Sequence, residues 1–358
     1  MIQVDRFDDI RKKLYSSGID AMMITGDSNR RYVTGFPSTA GVALITGEKS
    51  YFFVDSRYIE AAKSKIKGAA VEMTDKNNSY EKLINTVIEN AGIKKLGVEE
   101  EVLSYSAFEG YRKKLNAELV PAQNIVTELR MVKSDEEINK LICAQRISER
   151  ALEQVLEMIR PGMTERDVAA ELTYRMLKEG AETLSFEPIV VSGVKSSMPH
   201  GVPGDNVIKA GDFLTMDFGC KYEGYCSDMT RTVAIGHASD EMKEVYQTVL
   251  AAQTAAIAEA RAGMKGYELD AVARGVIERA GYGSCFGHGF GHGVGIDIHE
   301  APTAGPSGQK AMPAGAVISA EPGIYIEGRF GVRIEDVIIL REDGCENITR
   351  APKELIIL

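Results

Sequence analysis

Residues 216–232 spell MDFGCKYEGYCSDMTRT, with two aspartates, Asp217 and Asp228, that stand eleven positions apart. The apolar run at 213–216 before Asp217 predicts a buried strand. The segment Lys-Tyr-Glu-Gly at 221–224 predicts the turn of a hairpin. Folding that hairpin would bring the two carboxylates together across neighbouring strands. Two anions in a core repel each other and resist desolvation, so the pair calls for a cation.

The chain around this stretch repeats itself. Residues 160–180 begin Arg-Pro-Gly-Met and end at a glycine, and residues 261–281 begin Arg-Ala-Gly-Met and also end at a glycine. Each segment predicts a helix, and the offset is 101 residues at both ends. Residues 211–217 and 315–321 also match, because each has a glycine followed six positions later by a carboxylate at the end of an apolar strand. A doubled half-domain is the simplest explanation.

A second carboxylate follows in each half. Asp228 comes eleven residues after Asp217, and Glu335 comes fourteen residues after Glu321. Two halves related by a pseudo-two-fold axis would place all four acids around one centre. Two divalent cations would neutralise them, and two-metal sites share carboxylates in this way.

A nitrogen ligand is available in residues 286–300, where glycine alternates with larger side chains. This alternation predicts a strand with its glycines on one face, close to another backbone or a ligand, and with His288 and His292 on the other face. The spacing differs from the G-x-G-x-x-G pattern of a dinucleotide loop. His200 precedes the first carboxylate strand and His299 precedes the second. We therefore expect four of the five histidines beside the acids.

The first part of the chain predicts a different architecture. Short strands and helices alternate up to about residue 125, which is typical of a three-layer α/β domain. A capping box at Ser134–Glu137 predicts the start of a new long helix. The predicted fold class is α/β (α+β), with domains at 1–130 and 131–358.

Bulk properties narrow the function. The formal net charge of −10 argues against a nucleic acid and against an anionic membrane as partner. No apolar run approaches the length of a membrane span, and residues 1–9 show no signal-peptide pattern. The five cysteines are odd in number and form no C-x-x-C pair, which favours reduced thiols and a cytoplasmic location.

Together these residues resemble the pita-bread metallopeptidases, the group that contains methionine aminopeptidase, aminopeptidase P and prolidase. The resemblance spans about 150 to 350 and is carried by five motifs in order: Pro199-His200-Gly201, Asp217-Phe218-Gly219, the segment 227–232, the segment 288–300, and Glu321-Pro322-Gly323 with 332–336. Residues 28–36 (SNRRYVTGF) and 54–58 (VDSRY) resemble the creatinase-type N-terminal domain. That domain points to the aminopeptidase P and prolidase branch.

The resemblance implies a site. The metal ligands fall on Asp217, Asp228, His292, Glu321 and Glu335, with Asp228 and Glu335 bridging both ions. Oxygen ligands with one imidazole suit Mn²⁺, and Co²⁺ or Zn²⁺ are alternatives.

The implied reaction is hydrolysis of the peptide bond before proline by a hydroxide formed between the two ions. Glu321 would act as general base, and His200 and His299 would hold and stabilise the substrate carbonyl. His288 and Arg333 are expected to position the substrate or the ligands, although Arg333 has an alternative role in a structural salt bridge.

Three alternatives stay open from the sequence. The substrate is either an Xaa-Pro dipeptide or the N-terminus of a longer proline-containing peptide. A relative of this fold that has lost catalysis would be a binding scaffold, and a metal-independent hydrolase on the same fold is a further alternative. Homodimers are common in the family that the chain resembles, which makes a homodimer the expected assembly.

Overall fold

The computed structural model describes residues 6–358, so the expectation about a signal peptide concerns in part residues 1–5, which lie outside the described residues. The chain divides into two compact units, one running up to Arg130 and the other comprising Met131–Leu358. No helix in the described part of the chain combines the length and the apolar character that a bilayer crossing demands.

The first unit is built on one six-stranded mixed sheet. Its helices are α1 (Arg6–Ser17), α2 (Asp27–Thr34), α3 (Ile59–Lys65), α4 (Tyr80–Ala91), α5 (Tyr105–Lys114) and α6 (Gln123–Met131). Its strands are β1 (Ala21–Ile24), β2 (Val42–Thr46), β3 (Ser50–Val54), β4 (Ala70–Met73), β5 (Lys95–Val98) and β6 (Glu118–Pro121). The strand order is β4-β3-β2-β1-β5-β6, and β1 pairs antiparallel with β2 and parallel with β5.

Helices cover both faces of this sheet. Met23 and Leu44 belong to the core that α4 joins, while their strand neighbours Met22 and Ile45 are also fully buried. Because successive side chains of a strand point to opposite faces, burial of both sets requires a cover on each side. The predicted three-layer α/β arrangement is therefore confirmed.

The second unit carries the repeat. Its helices are α7 (Asp135–Leu156), α8 (Glu165–Lys178), α9 (Asp240–Glu259) and α10 (Gly266–Arg279). Its strands are β7 (Thr183–Leu184), β8 (Ile189–Ser192), β9 (Phe213–Phe218), β10 (Cys220–Tyr222), β11 (Tyr225–Cys226), β12 (Met229–Ala234), β13 (Gly291–Gly293), β14 (Glu300–Ala304), β15 (Val317–Ala320), β16 (Gly323–Ile326), β17 (Phe330–Arg333), β18 (Asp336–Arg341) and β19 (Gly344–Asn347). The main sheets have the orders β12-β9-β8 and β14-β13-β15-β18-β19.

The two halves of this unit correspond element by element. Helices α8 and α10 are each 14 residues long, and their first residues, 165 and 266, are 101 positions apart. In one half β9 pairs antiparallel with β12, and in the other β15 pairs antiparallel with β18. A hairpin is inserted within each pair, β10–β11 in the first half and β16–β17 in the second. The doubled half-domain predicted from the repeat is confirmed, and its pseudo-two-fold arrangement is the one expected from the resemblance to the pita-bread fold.

Two details of the prediction were wrong. The strand predicted across residues 286–300 is limited to the three residues of β13, so His288 lies before it rather than beside His292 on one strand face. The pairing of β13 with β14 is irregular, with a register shift between His292 and Gly293. The two flanking glycines are also tightly packed, because a β-carbon on Gly291 would overlap the carbonyl oxygen of Ser319 and one on Gly293 would overlap that of Ala301. Helices α2 and α6 were not predicted, since their apolar rhythm is weak.

Candidate metal centre

The four acids stand at equivalent ends of paired strands. Asp217 lies at the end of β9, opposite Thr230 of β12, and Asp228 immediately precedes β12. In the other half Glu321 immediately follows β15, and Glu335 immediately precedes β18. Because the partner strands are antiparallel, the end of one strand and the start of the other lie side by side at the same end of the pair. This topology brings each pair of carboxylates together.

The strand ends that carry the four acids face one cavity of about 560 Å³. Every residue that the sequence placed in the site lines it: His200, Asp217, Asp228, His288, His292, His299, Glu321, Arg333 and Glu335. Apolar side chains, among them Phe186, Ile189 and Ile298, form other parts of the wall.

Three residues have the spacing of a metal site. One ligand atom from each of Asp228, His292 and Glu335 lies within 4.8 Å of the other two. Nε2 of His292 is 3.6 Å from Oδ2 of Asp228 and 3.2 Å from Oε1 of Glu321. The other ring nitrogen, Nδ1, is 3.1 Å from the carbonyl oxygen of Gly293. Donation from Nδ1–H to that carbonyl leaves Nε2 as the nitrogen that faces the acids, as in metal-binding histidines.

The protein's own positively charged groups compensate the negative charge of the four carboxylates poorly. Burial raises the pKa of Asp228 and of Glu335 well above the ordinary carboxyl range, and repulsion from neighbouring carboxylates raises it further. The pKa of Asp217 is also raised, chiefly by burial, although the charge of Arg333 opposes the increase. A cluster that resists ionisation in this way is suited to divalent cations, which favour the charged form of each ligand.

Glu321 and His292 are in contact and shift each other's pKa in opposite directions. Burial acts to raise the pKa of Glu321, but the hydrogen bond and the charge of His292 overcome it and lower that pKa to about 2. Burial acts to lower the pKa of His292, and the same contact with Glu321 reverses the effect and raises it. Ser319 Oγ donates to Glu321 Oε1 at 3.0 Å and accepts from the His292 amide at 3.0 Å. Ser319 thus links the carboxylate of Glu321 to the backbone of His292.

Arg333 is buried and connects the site to its surroundings. Nη2 lies 2.5 Å from Oδ2 of Asp217, Nη1 donates to the Tyr325 hydroxyl at 2.8 Å, and Nε donates to Oγ1 of Thr230 at 3.1 Å. The Thr230 hydroxyl in turn donates to Oε2 of Glu335 at 2.6 Å. The salt bridge between Arg333 and Asp217 is therefore part of the hydrogen-bond network that holds Asp217 and Glu335 in place.

One oxygen at the centre of this arrangement lacks a partner. Oδ1 of Asp217 is buried and makes no hydrogen bond within the described residues 6–358. A buried carboxylate oxygen without a donor costs free energy unless a ligand satisfies it. A divalent cation is the ligand that the remaining donor set fits.

The other histidines differ in their environment. Nε2 of His288 is 2.9 Å from the Tyr325 hydroxyl, and burial lowers the pKa of His288. The ring of His299 meets that of His292 edge-on, with 4.2 Å between centroids, and its pKa is lowered by burial and by His292. His200 lines the cavity with an exposed side chain. Two imidazoles, His288 and His299, are thus biased towards the neutral form.

Sequence reasoning missed the hydroxyl residues that support the ligands. Thr230 lies two residues after Asp228, and Ser319 lies two residues before Glu321. Side chains two apart on an extended chain share a face, so this spacing was a usable signal. Tyr325, whose linking role the sequence does not indicate, bonds both His288 and Arg333.

The fold and the acidic centre define a metallopeptidase. The model of metallopeptidase family M24 matches residues 139–342, and that of the creatinase/prolidase N-terminal domain matches residues 6–132. The chain belongs to metallopeptidase family M24 and is an enzyme of the divalent-metal-dependent peptidase class.

Related sequences and solved structures match this chain over nearly its whole length. An uncharacterized peptidase of Bacillus subtilis is 44% identical over 354 residues, 99% of this chain and 100% of its own length. The Xaa-Pro dipeptidase of Pyrococcus horikoshii is 38% identical over 342 residues, 95% of each chain. The solved structure of an Xaa-Pro dipeptidase from Bacillus anthracis has a TM-score of 0.95 at 42% identity and covers 99% of each chain. That of an X-Pro aminopeptidase from Thermotoga maritima has a TM-score of 0.90 at 39% identity, covering 95% of this chain and 98% of that one.

Proposed function

We propose that this enzyme hydrolyses the peptide bond between an N-terminal residue and proline, in Xaa-Pro dipeptides or at the start of longer peptides. The observation that carries the proposal is the convergence of Asp217, Asp228, His292, Glu321 and Glu335 on one cavity. Relatives named Xaa-Pro dipeptidase and X-Pro aminopeptidase cover nearly the whole chain, which supports the same substrate class.

The five residues would hold two divalent ions, with Asp228 and Glu335 contributing to both. When bound, such a pair supplies Lewis acidity and activates water at neutral pH. Mn²⁺ is the proposed metal, with Co²⁺ or Zn²⁺ as substitutes, because four carboxylates and one imidazole form a hard to borderline ligand set.

Glu321 is the proposed proton carrier. It lies on the cavity wall beside His292, where its carboxylate can accept a proton from the attacking water. The carboxyl group then donates that proton to the proline nitrogen, which leaves as the C–N bond breaks. The products are the free N-terminal amino acid and proline, or a peptide that begins with proline.

The cavity histidines are proposed to act on the substrate carbonyl. His200 and His299 would donate hydrogen bonds to its oxygen and stabilise the negative charge that develops there. His288 is proposed to act indirectly, because its ring contacts the Tyr325 hydroxyl, which also accepts a hydrogen bond from Arg333. The apolar wall at Phe186 and Ile189 would receive the proline ring, which has no N–H to satisfy.

Compartment and assembly complete the proposal. All five cysteines are free, and burial raises the pKa of Cys226 to about 11, which keeps its thiol protonated. Reduced thiols of this kind support a cytoplasmic location. A homodimer is proposed from the family resemblance, and light scattering of the purified chain tests it.

A peptide panel tests the function. The Mn²⁺-loaded protein is incubated with Ala-Pro, Ala-Pro-Ala and the control peptides Ala-Ala and Ala-Ala-Ala, and released amino acids are quantified. We expect cleavage of the proline peptides alone, and their ratio of kcat/KM values decides between dipeptidase and aminopeptidase. A binding scaffold would show no turnover at full metal occupancy, and a metal-independent hydrolase would keep its turnover after chelation.

A further inference from the structure

The buried carboxylate of Glu165 joins the two ends of the segment that carries His200. Glu165 is the first residue of α8, and its side chain is fully buried. The capping box at this helix end is made by Thr164 and Asp167. Glu165 takes no part in that capping box. It is also not among the residues that line the cavity.

Five donors surround this carboxylate. Oε1 accepts from the Ser192 amide at 2.8 Å, the Ser192 hydroxyl at 3.3 Å and Asn206 Nδ2 at 3.2 Å. Oε2 accepts from Lys195 Nζ at 2.6 Å and from the Gly204 amide at 3.1 Å. The lone pairs of both oxygens are used. Ser192 and Lys195 precede His200 in the chain, whereas Gly204 and Asn206 follow it.

Further contacts close the same segment. Lys195 Nζ also donates to the Val202 carbonyl at 2.6 Å, so the ammonium spans the segment from one side to the other. The backbone of Glu165 donates to the Asn206 carbonyl at 3.1 Å, and that of Arg166 donates to the Gly204 carbonyl at 3.0 Å. Both ends of residues 193–206 are thus fastened to the start of α8.

The imidazole of His200 depends on this backbone. His200 is exposed, and within residues 6–358 no group hydrogen-bonds its ring. On the cavity side the segment is held by Arg333 Nη1, which donates to the Pro199 carbonyl at 3.4 Å, and by the Gly331 amide, which donates to Ser196 Oγ at 2.9 Å. The segment is therefore held by contacts from two sides, and Glu165 provides the contacts on the side that does not line the cavity.

We propose that Glu165, together with Lys195, is a positioning residue that sets the location of His200 during peptide hydrolysis. This inference rests on the proposed function, in which His200 contacts the substrate carbonyl. Glutamine is the informative replacement, because its amide NH₂ would face either the Ser192 and Asn206 donors or the Lys195 and Gly204 donors, and would lose one contact on each side of His200. A displacement of His200 by about 1 Å is enough to reduce the rate strongly.

A double-mutant cycle in the full-length, Mn²⁺-loaded protein tests it. Glu165→Gln, His200→Ala and the double variant are compared by kcat/KM on an Xaa-Pro peptide, together with bound metal and melting temperature. We expect Glu165→Gln to lower kcat/KM about tenfold, with metal content unchanged, and to have no further effect in the His200→Ala background. Glu171→Gln, on the same helix and paired with Arg175, is the matched control and should leave kcat/KM unchanged.

Lys195→Met provides a second cycle should Glu165→Gln fail to fold, since Lys195 is partly exposed. Its loss of kcat/KM should also disappear when His200 is absent. Equal losses with and without His200, in whichever cycle folds, overturn the inference. A His200→Ala variant with wild-type turnover overturns it as well, while metal-dependent cleavage before proline, and with it the proposed function, would stand.

Discussion

Arg333 and Asp217 form a buried pair in which Nη2 lies 2.5 Å from Oδ2, while the second oxygen of Asp217, Oδ1, has no hydrogen-bond partner within residues 6–358. One oxygen of this carboxylate is thus committed to the protein and the other is available to an ion. Asp217 is also the acid whose raised pKa Arg333 counteracts. The guanidinium therefore fixes one oxygen of an acid that we propose as a metal ligand and leaves the other oxygen open to an ion.

Arg333→Met should weaken metal binding. Without the guanidinium the pKa of Asp217 rises further, so protons compete more strongly with the ion. We expect the dissociation constant for Mn²⁺, measured by isothermal titration calorimetry, to increase about tenfold or more. The control is Arg329→Met in the turn of the same β16–β17 hairpin, where the arginine pairs with Glu241 at the surface. Unchanged affinity in Arg333→Met would show that the pair is structural only.

Asp228→Asn should make the chelated protein more stable while abolishing its response to metal. The buried acid repels its neighbours when ionised, and the amide removes that repulsion at nearly constant size. We expect the free energy of unfolding in urea with chelator to increase by about 1–3 kcal/mol. Added Mn²⁺ should no longer stabilise the variant. Asp343→Asn, at an exposed position, should change neither value, and a less stable chelated Asp228→Asn protein would count against the account.

The stability of the metal-free protein should fall as the pH rises. Asp217, Asp228 and Glu335 have folded-state pKa values above those of the unfolded chain, and so does His292. Such groups stabilise the fold fully below their unfolded pKa values and lose that contribution as the pH rises through the folded ones.

Glu321 does not alter this trend, because its pKa of about 2 leaves it ionised throughout the range. The melting temperature with chelator should therefore decrease from about pH 5 to about pH 8, and the stabilisation by Mn²⁺ should increase over the same range. A metal-free melting temperature that rises across this range would be inconsistent with the buried acid cluster.

Gly291→Ala should destabilise the site strand. A β-carbon there would overlap the carbonyl oxygen of Ser319 on the neighbouring strand, so the backbone itself must move. We expect a loss of about 2 kcal/mol or more in the free energy of unfolding. Gly287→Ala in the same glycine-rich segment meets no atom within 4 Å and should cost little. Similar costs for the two variants would show that the close approach of Ser319 does not require glycine at position 291.

The repeat made much of the second unit predictable from sequence. Helices α8 and α10 and the strands before Asp217 and Glu321 recur at a near-constant offset, so the pseudo-two-fold placement of the acids followed from spacing alone. The capping box at Ser134 also marked the start of α7 correctly. Local hydrophobic periodicity and the signals that start or end a helix can be recognised in the sequence without knowledge of tertiary contacts.

What could not be predicted depends on contacts between distant segments. The short strand at His292 is interrupted by a register shift against β14, and its glycines pack against the carbonyl groups of Ser319 and Ala301, which approach from other parts of the chain. The role of Tyr325 as a link between His288 and Arg333 likewise arises only from their packing. Weakly apolar helices such as α2 are stabilised by tertiary burial, which propensity does not register.

The central claim is that four acids and one histidine hold a catalytic pair of divalent ions, and metal reconstitution tests it most directly. The chelated protein is titrated with Mn²⁺ while bound metal per chain and hydrolysis of an Xaa-Pro peptide are measured on the same samples. The account predicts no turnover without metal, two ions bound per chain at saturation, and activity that tracks occupancy. Full turnover with no metal bound, or saturation without any cleavage before proline, would contradict it.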